Sequence, residues 1–100
     1  MFKRRSRRED YIRYIEAYIE RGNEWIRAAF YSDPEVETIL ETLYERWSKG
    51  NHVGEPIDYA TDEEIETLYR LARHYASLTP YEAYSIYMKR LEERGEERKD

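Results

Sequence analysis

Three helix starts are written into this chain in one chemistry, and together they leave little room for a fold that is not helical. Asp33 stands before Pro34, where a carboxylate can accept from the free amides of a first turn and proline, already without an N–H, loses nothing. Thr61 is followed three residues later by Glu64, and Thr79 by Glu82 with Pro80 between, the reciprocal pattern of a capping box. Gly50 and Gly95 lie where the second and fourth helices should stop. Acids collect early in these segments (Glu35 and Glu37; Asp62 and Glu63) and cations late (Arg46 and Lys49; Arg70, Arg73 and His74; Lys89, Arg90 and Arg94), as the helix dipole favours.

The apolar spacing agrees. A first helix is expected over 9–31, with Ile12, Ile15, Ile19, Gly22, Ile26 and Ala29 following one another at steps of three and four on one stripe. Gly22 and Asn23 interrupt it, because glycine inside a helix costs about 1 kcal/mol against alanine. The second helix (34–49) should bury Val36, Leu40, Leu43 and Trp47, with Ile39 and Tyr44 on the flanks; the third (62–77) Ile65, Leu68, Ala72 and Tyr75; the fourth (80–94) Tyr81, Tyr84, Met88 and Leu91. The fold class is therefore all-α, a small four-helix bundle, or five-helix if Gly22-Asn23 breaks the first, with one long loop from Gly50 to Ala60. Within that loop Val53, Ile57 and Tyr59 are expected to tuck against the bundle, while Gly54 and Pro56 shape a turn.

Charge divides the chain into an arm and a body. Lys3, Arg4, Arg5, Arg7 and Arg8 precede Glu9, whereas all twenty-two acids follow, facing only twelve further lysines and arginines. The division expected is a basic arm over 1–8, a single helical domain over 9–95 and a charged tail over 96–100. A like-charged block repels itself and needs an external counter-charge, so the five cations of the arm are candidates for contact with nucleic acid or with an acidic protein surface. The acidic body argues that any nucleic-acid contact is confined to the arm. With no apolar run of membrane-spanning length and no cysteine in 100 residues, the composition points to a soluble cytoplasmic chain without disulfides. The absence of glutamine and the 39% of charged residues fit a thermophilic source.

The eleven tyrosines are the second signal of a partner. Tyr11, Tyr14, Tyr18 and Trp25 fall three, four and seven apart, an aromatic stripe beside the isoleucine seam with Arg21 in its gap. Tyrosine, tryptophan and arginine dominate the energetic centres of interfaces, so these five residues are candidates for a protein partner or for self-association. Half-burial of the rings on the bundle, hydroxyls in water, accounts for the same spacing.

Nothing comparable supports catalysis. His52, in the loop, and His74, in a last helical turn, have no second histidine nearby and no Glu-x-x-His pair; Lys49-Gly50 lacks the spacing of a phosphate loop; and the many carboxylates are accounted for by dipole and surface pairing. No catalytic residue, metal ligand or cofactor is expected. The function expected is that of a small non-enzymatic helical adaptor. The alternative is a DNA-binding transcriptional regulator of helix-turn-helix type, in which 62–77 and 80–94 are joined by Ser77, Leu78 and Thr79. Against it stand the missing turn glycine and cations gathered at the carboxyl end of the would-be reading helix.

Overall fold

Five α-helices, one π-helical turn and one 3-10 turn make up residues 7–97, the part of the chain that the computed structural model describes, and no strand occurs among them. The helices are α1 (Arg7–Ile15), α2 (Glu24–Tyr31), α3 (Pro34–Lys49), α4 (Asp62–Ala76) and α5 (Pro80–Glu97), with the π turn at Glu16–Glu20 and the 3-10 turn at Pro56–Tyr59. α1 begins at Arg7, two residues before the start expected, so Arg7 and Arg8 are helical rather than part of an arm; Lys3, Arg4 and Arg5 lie outside the described residues.

The interruption at Gly22-Asn23 is a full break, and each residue has its own reason for being there. The Arg21 N–H donates to the Glu16 carbonyl (3.0 Å), a wide turn, and Gly22 closes it where a β-carbon would lie 2.3 Å from the Tyr18 carbonyl oxygen. Asn23 then takes an extended conformation, and its side-chain oxygen accepts from the N–H groups of Trp25 (2.8 Å) and Ile26 (3.4 Å), starting α2. The other starts are as the sequence spells them. Asp33 caps α3 by accepting from Glu35 (2.8 Å) and Val36 (3.3 Å), and the boxes Thr61/Glu64 and Thr79/Glu82 are both closed.

α4 is the centre of the packing: α1, α2 and α3 all lean on it, and α5 lies along α2. All four residues expected to be buried on α4, Ile65, Leu68, Ala72 and Tyr75, are buried. One apolar cluster gathers Ile19, Ile26, Ala29, Phe30, Val36, Leu68, Ala72, Tyr75 and Ala83; a smaller one joins Leu43, Ala60 and Ile65.

α5 departs from expectation. Tyr81 (77%) and Leu91 (40%) are exposed, Tyr84 is about one-third exposed (36%), Met88 is half-buried, and Ala83, Ile86, Tyr87 and Arg90 turn inward. The fully buried Ala83 allows close helix approach, and Arg90 is drawn inward by polar groups that only a guanidinium can satisfy at once. Its Nη1 donates to the Ala29 carbonyl (2.7 Å) and Ser32 Oγ (2.9 Å) at the end of α2. Its Nη2 donates to the Tyr75 hydroxyl (2.7 Å), which donates in turn to Asp33 Oδ2 (2.5 Å). Burial pushes the Tyr75 phenol above the ordinary tyrosine value, the bond from Arg90 acting the other way and the one to Asp33 adding to the rise. Gly95, expected as a stop, lies inside α5.

The connection from α3 to α4 is held rather than loose. Gly50 ends α3 beneath the Tyr59 ring, where a β-carbon would lie 2.6 Å from the phenol oxygen. Asn51 and His52 take left-handed conformations (φ 62° and 61°), and the His52 N–H donates to the Trp47 carbonyl (3.0 Å). Val53, expected to be tucked in, is 67% exposed, because its carbonyl rather than its side chain is the anchored group, accepting from the Tyr59 hydroxyl (2.8 Å). Ile57 does pack on both clusters, and Tyr59 is half-buried.

Two outcomes follow. Arg90→Met removes one partner of a mostly buried network and leaves Asp33 and the α2 carbonyl end without it, so chemical denaturation should show a loss of about 3 to 5 kcal/mol, against at most about 0.5 for Lys89→Met. Glu64, bonded by Arg46 at 2.6 and 3.2 Å, has its carboxyl held below the ordinary glutamate value first by that bond. A carboxyl lowered in the fold lends stability above its unfolded pKa and loses it as pH falls through the folded one, so wild-type stability should drop below about pH 4.3. Glu64→Gln should flatten that part of the stability–pH profile.

Candidate docking groove

The two arginines nearest the start of α1 have different fates. Arg7 is exposed, while Arg8 is half-buried and donates to the carbonyls of Ile57 (3.2 Å), Asp58 (3.2 Å) and Ala60 (2.7 Å) and to Asp62 Oδ1 (3.2 Å). Arg46 takes the carbonyl of Tyr59 between them (3.0 Å). Four successive carbonyls of the 3-10 turn are thus met by two guanidiniums, one from α1 and one from α3. Charge-assisted bonds of this kind are the strong ones, and Arg8 spends its donors on the fold.

The aromatic stripe turns mostly inward. Tyr11 stacks on Tyr69 of α4 (centroids 4.1 Å), Tyr14 meets the same ring edge-on (5.2 Å), and Trp25 meets Tyr84 of α5 edge-on (4.8 Å). Burial raises the Tyr14 phenol above the ordinary tyrosine value, against the pull of Arg73, whose guanidinium lies over Tyr69 (5.8 Å). Tyr18, stacked on Tyr14 (4.4 Å), is the stripe member left 55% exposed, and Arg21 is exposed where the π turn closes. Tyr11, Tyr14 and Trp25 therefore line contacts between α1 or α2 and the later helices.

His52 lies edge-on to Trp47 (4.5 Å) and His74 edge-on to Tyr75 (5.0 Å). Among the described residues, no group of three histidine, cysteine, aspartate or glutamate side chains is placed to hold a metal ion. In α5, Arg90 is turned into the fold and Arg94 pairs with Glu37 (2.7 Å), so two of its cations are occupied within the chain.

What the sequence did not mark is a groove. Because α1 is drawn onto α4 and α3 onto the 3-10 turn, the two leave between them a cleft of about 410 Å³. Its floor is apolar: Ile12 and Ile15 from α1, Leu40 and Leu43 from α3, with Phe30 and Leu68 beneath. Pro56 and Ile57 of the 3-10 turn and the rings of Tyr31 and Tyr44 also line it. Glu16, Glu20 and Glu55 are its charged lining residues, all three exposed, and among the described residues no cation lines it. Arg27 donates to the Glu20 carbonyl (2.9 Å) and not to its carboxylate. Ile12, Ile15 and Leu40 read as seam residues in the sequence, and they are half-buried. Tyr44, a flank residue 58% exposed, was the available hint that this side of α3 is open.

The chain matches no protein-family model, no curated protein and no solved structure. Among the described residues no helix is long and apolar enough to cross a membrane.

The division of labour between the first two helical arginines is measurable. Arg8→Ala removes the guanidinium from the carbonyls of Ile57, Asp58 and Ala60 and should lower stability by about 1.5 to 3 kcal/mol, whereas Arg7→Ala should stay within about 0.5. Equal effects in thermal or denaturant unfolding would place Arg8 with the surface charges.

Proposed function

We propose that this protein is a small non-enzymatic docking module, whose groove between α1 and α3 seats an apolar protein segment flanked by cations. The observation that carries the reading is the pairing of an apolar floor with Glu16, Glu20 and Glu55, with no lining cation among the described residues. Apolar area left open to water favours a ligand that covers it, and a rim of one sign selects for partners of the opposite sign while adding to the rate of encounter. The acidic balance of the residues after Arg8 adds to the same preference at long range. The groove carries the reading better than the aromatic stripe, since the stripe's rings are largely satisfied by Tyr69 and Tyr84. An amphipathic helix with leucines on one face and lysines beside them has the matching chemistry, the helix-in-groove mode of recognition.

Calorimetric titration with a synthetic leucine/lysine amphipathic helix tests this. Binding should weaken as salt rises, fall about tenfold or more in the double variant Glu16→Lys/Glu20→Lys, and fall likewise in Tyr44→Glu, since about 1.4 kcal/mol is a factor of ten. Tyr81→Glu, on the exposed ridge of α5, should leave it unchanged. Equal affinity in all four proteins would remove the groove from the reading.

A further inference from the structure

We propose that the outward ridge of α5 is a self-association face, on which two copies of this chain pair antiparallel about a two-fold axis passing between Tyr84 and Met88. The contact is separate from the groove and does not depend on the docking reading.

The ridge has the spacing of a seam. Tyr81, Tyr84, Met88 and Leu91 follow one another at steps of three, four and three, the repeat with which one helix packs along another. Tyr81 is the most exposed large apolar side chain among the described residues, at 77%, and Leu91 is 40% exposed. Inside the chain α5 lies along α2, but α5 has 18 residues and α2 has 8, so α2 cannot cover it from end to end. Trp25 of α2 touches the ridge from one side, edge-on to Tyr84 (4.8 Å). Aromatic and aliphatic side chains left in water along one line favour a surface that covers them.

Charge selects a second copy as that surface and sets its direction. On one flank of the ridge stand Glu82, Lys89 and Glu92, all exposed. On the other is Arg94, which pairs with Glu37 (2.7 Å), while Glu93 lies across the helix from the ridge. Lys89 makes no ion pair among the described residues. Glu82 gives Oε1 to the Thr79 N–H (2.8 Å) and has its second carboxylate oxygen to offer. When two ridges run antiparallel, Tyr81 meets the partner's Leu91 and Tyr84 meets the partner's Met88. Glu82 then stands opposite the partner's Lys89, and the two-fold axis makes the pair twice. Glu92 comes beside the amino end of the other α5, where the helix dipole favours an acid. A parallel pair would instead set Glu82 against Glu82 and Lys89 against Lys89.

A seam this short buries less than the about 800 Å² per partner of a standard interface, so the pair is reversible and forms at micromolar concentration or above.

Sedimentation equilibrium on the full-length chain decides the matter. At low salt the mass should rise reversibly from 12.3 kDa toward twice that value as the concentration goes from micromolar to millimolar. Tyr81→Glu/Leu91→Glu alters two exposed positions, so helicity should persist while the chain stays monomeric over the same range. Lys89→Glu should weaken pairing by about tenfold, since two attractive contacts with Glu82 become two repulsive ones; in a parallel pair the same change would matter little. Tyr44→Glu, in the groove, should leave pairing as it is. A wild type that remains at 12.3 kDa at millimolar concentration overturns the proposal. So does a dimer that survives Tyr81→Glu/Leu91→Glu, or one lost in Tyr44→Glu, which would assign the contact to the groove. Pairing indifferent to Lys89→Glu would overturn the antiparallel arrangement. The peptide titration reads the groove independently of all four outcomes.

Discussion

The Arg90 guanidinium sets the relative placement of four helices. It reaches the carbonyl end of α2 through Ala29 and Ser32, the hydroxyl of Tyr75 on α4 and, through that hydroxyl, the carboxylate that caps α3. A mostly buried charge is costly unless it is paired and fully bonded, and the pairing here is with Asp33, 3.8 Å away, with the Tyr75 oxygen between. Such a network is demanding about geometry, because each member's partner comes from a different helix. It also fixes the rotation of α5. With Arg90 turned inward, Ala83, Ile86 and Tyr87 share its face, and Tyr81 and Leu91 are left outside.

That rotation marks where the sequence stopped being legible. Periodicity finds the helices, and caps find their starts, because both act over three or four residues and depend on nothing distant. The α4 seam at Ile65, Leu68, Ala72 and Tyr75 was readable for the same reason: only one apolar stripe exists on that helix. α5 has two competing stripes: of the more apolar one Tyr81, Tyr84 and Leu91 are left exposed and Met88 is half-buried, while the stripe that contains Arg90 turns inward. No local rule gives that outcome, since the groups that draw Arg90 inward are 15 to 61 residues away in sequence. Asn23 as a cap was legible in principle; its role was masked by reading Gly22-Asn23 only as a defect in one helix.

The groove was illegible for a different reason. It exists because two arginines pull from opposite sides on one short turn. Arg8 takes the carbonyls of Ile57, Asp58 and Ala60, and Arg46 that of Tyr59, and Ile57 of the turn packs on the same small cluster as Ile12 of α1 and Leu40 of α3. Leucines and isoleucines on facing helices read as core whether or not the helices touch. The long-range bonds of Arg8 bring the 3-10 turn to α1, and Arg8 in the sequence belongs by charge to the basic run before it.

The π turn at Glu16–Glu20 has a consequence for how this chain can vary. Each residue of a helix turns the path by about 100°, so α1 and α2 face the same core only because this turn has the length it has. Losing one residue there would swing α1 by roughly a quarter of a revolution or more about its axis. Arg8 would then point away from the 3-10 turn, and Tyr11 and Tyr14 away from Tyr69. The short segment before Gly22 sets the phase between α1 and α2, and its length is fixed by what lies on both sides of it.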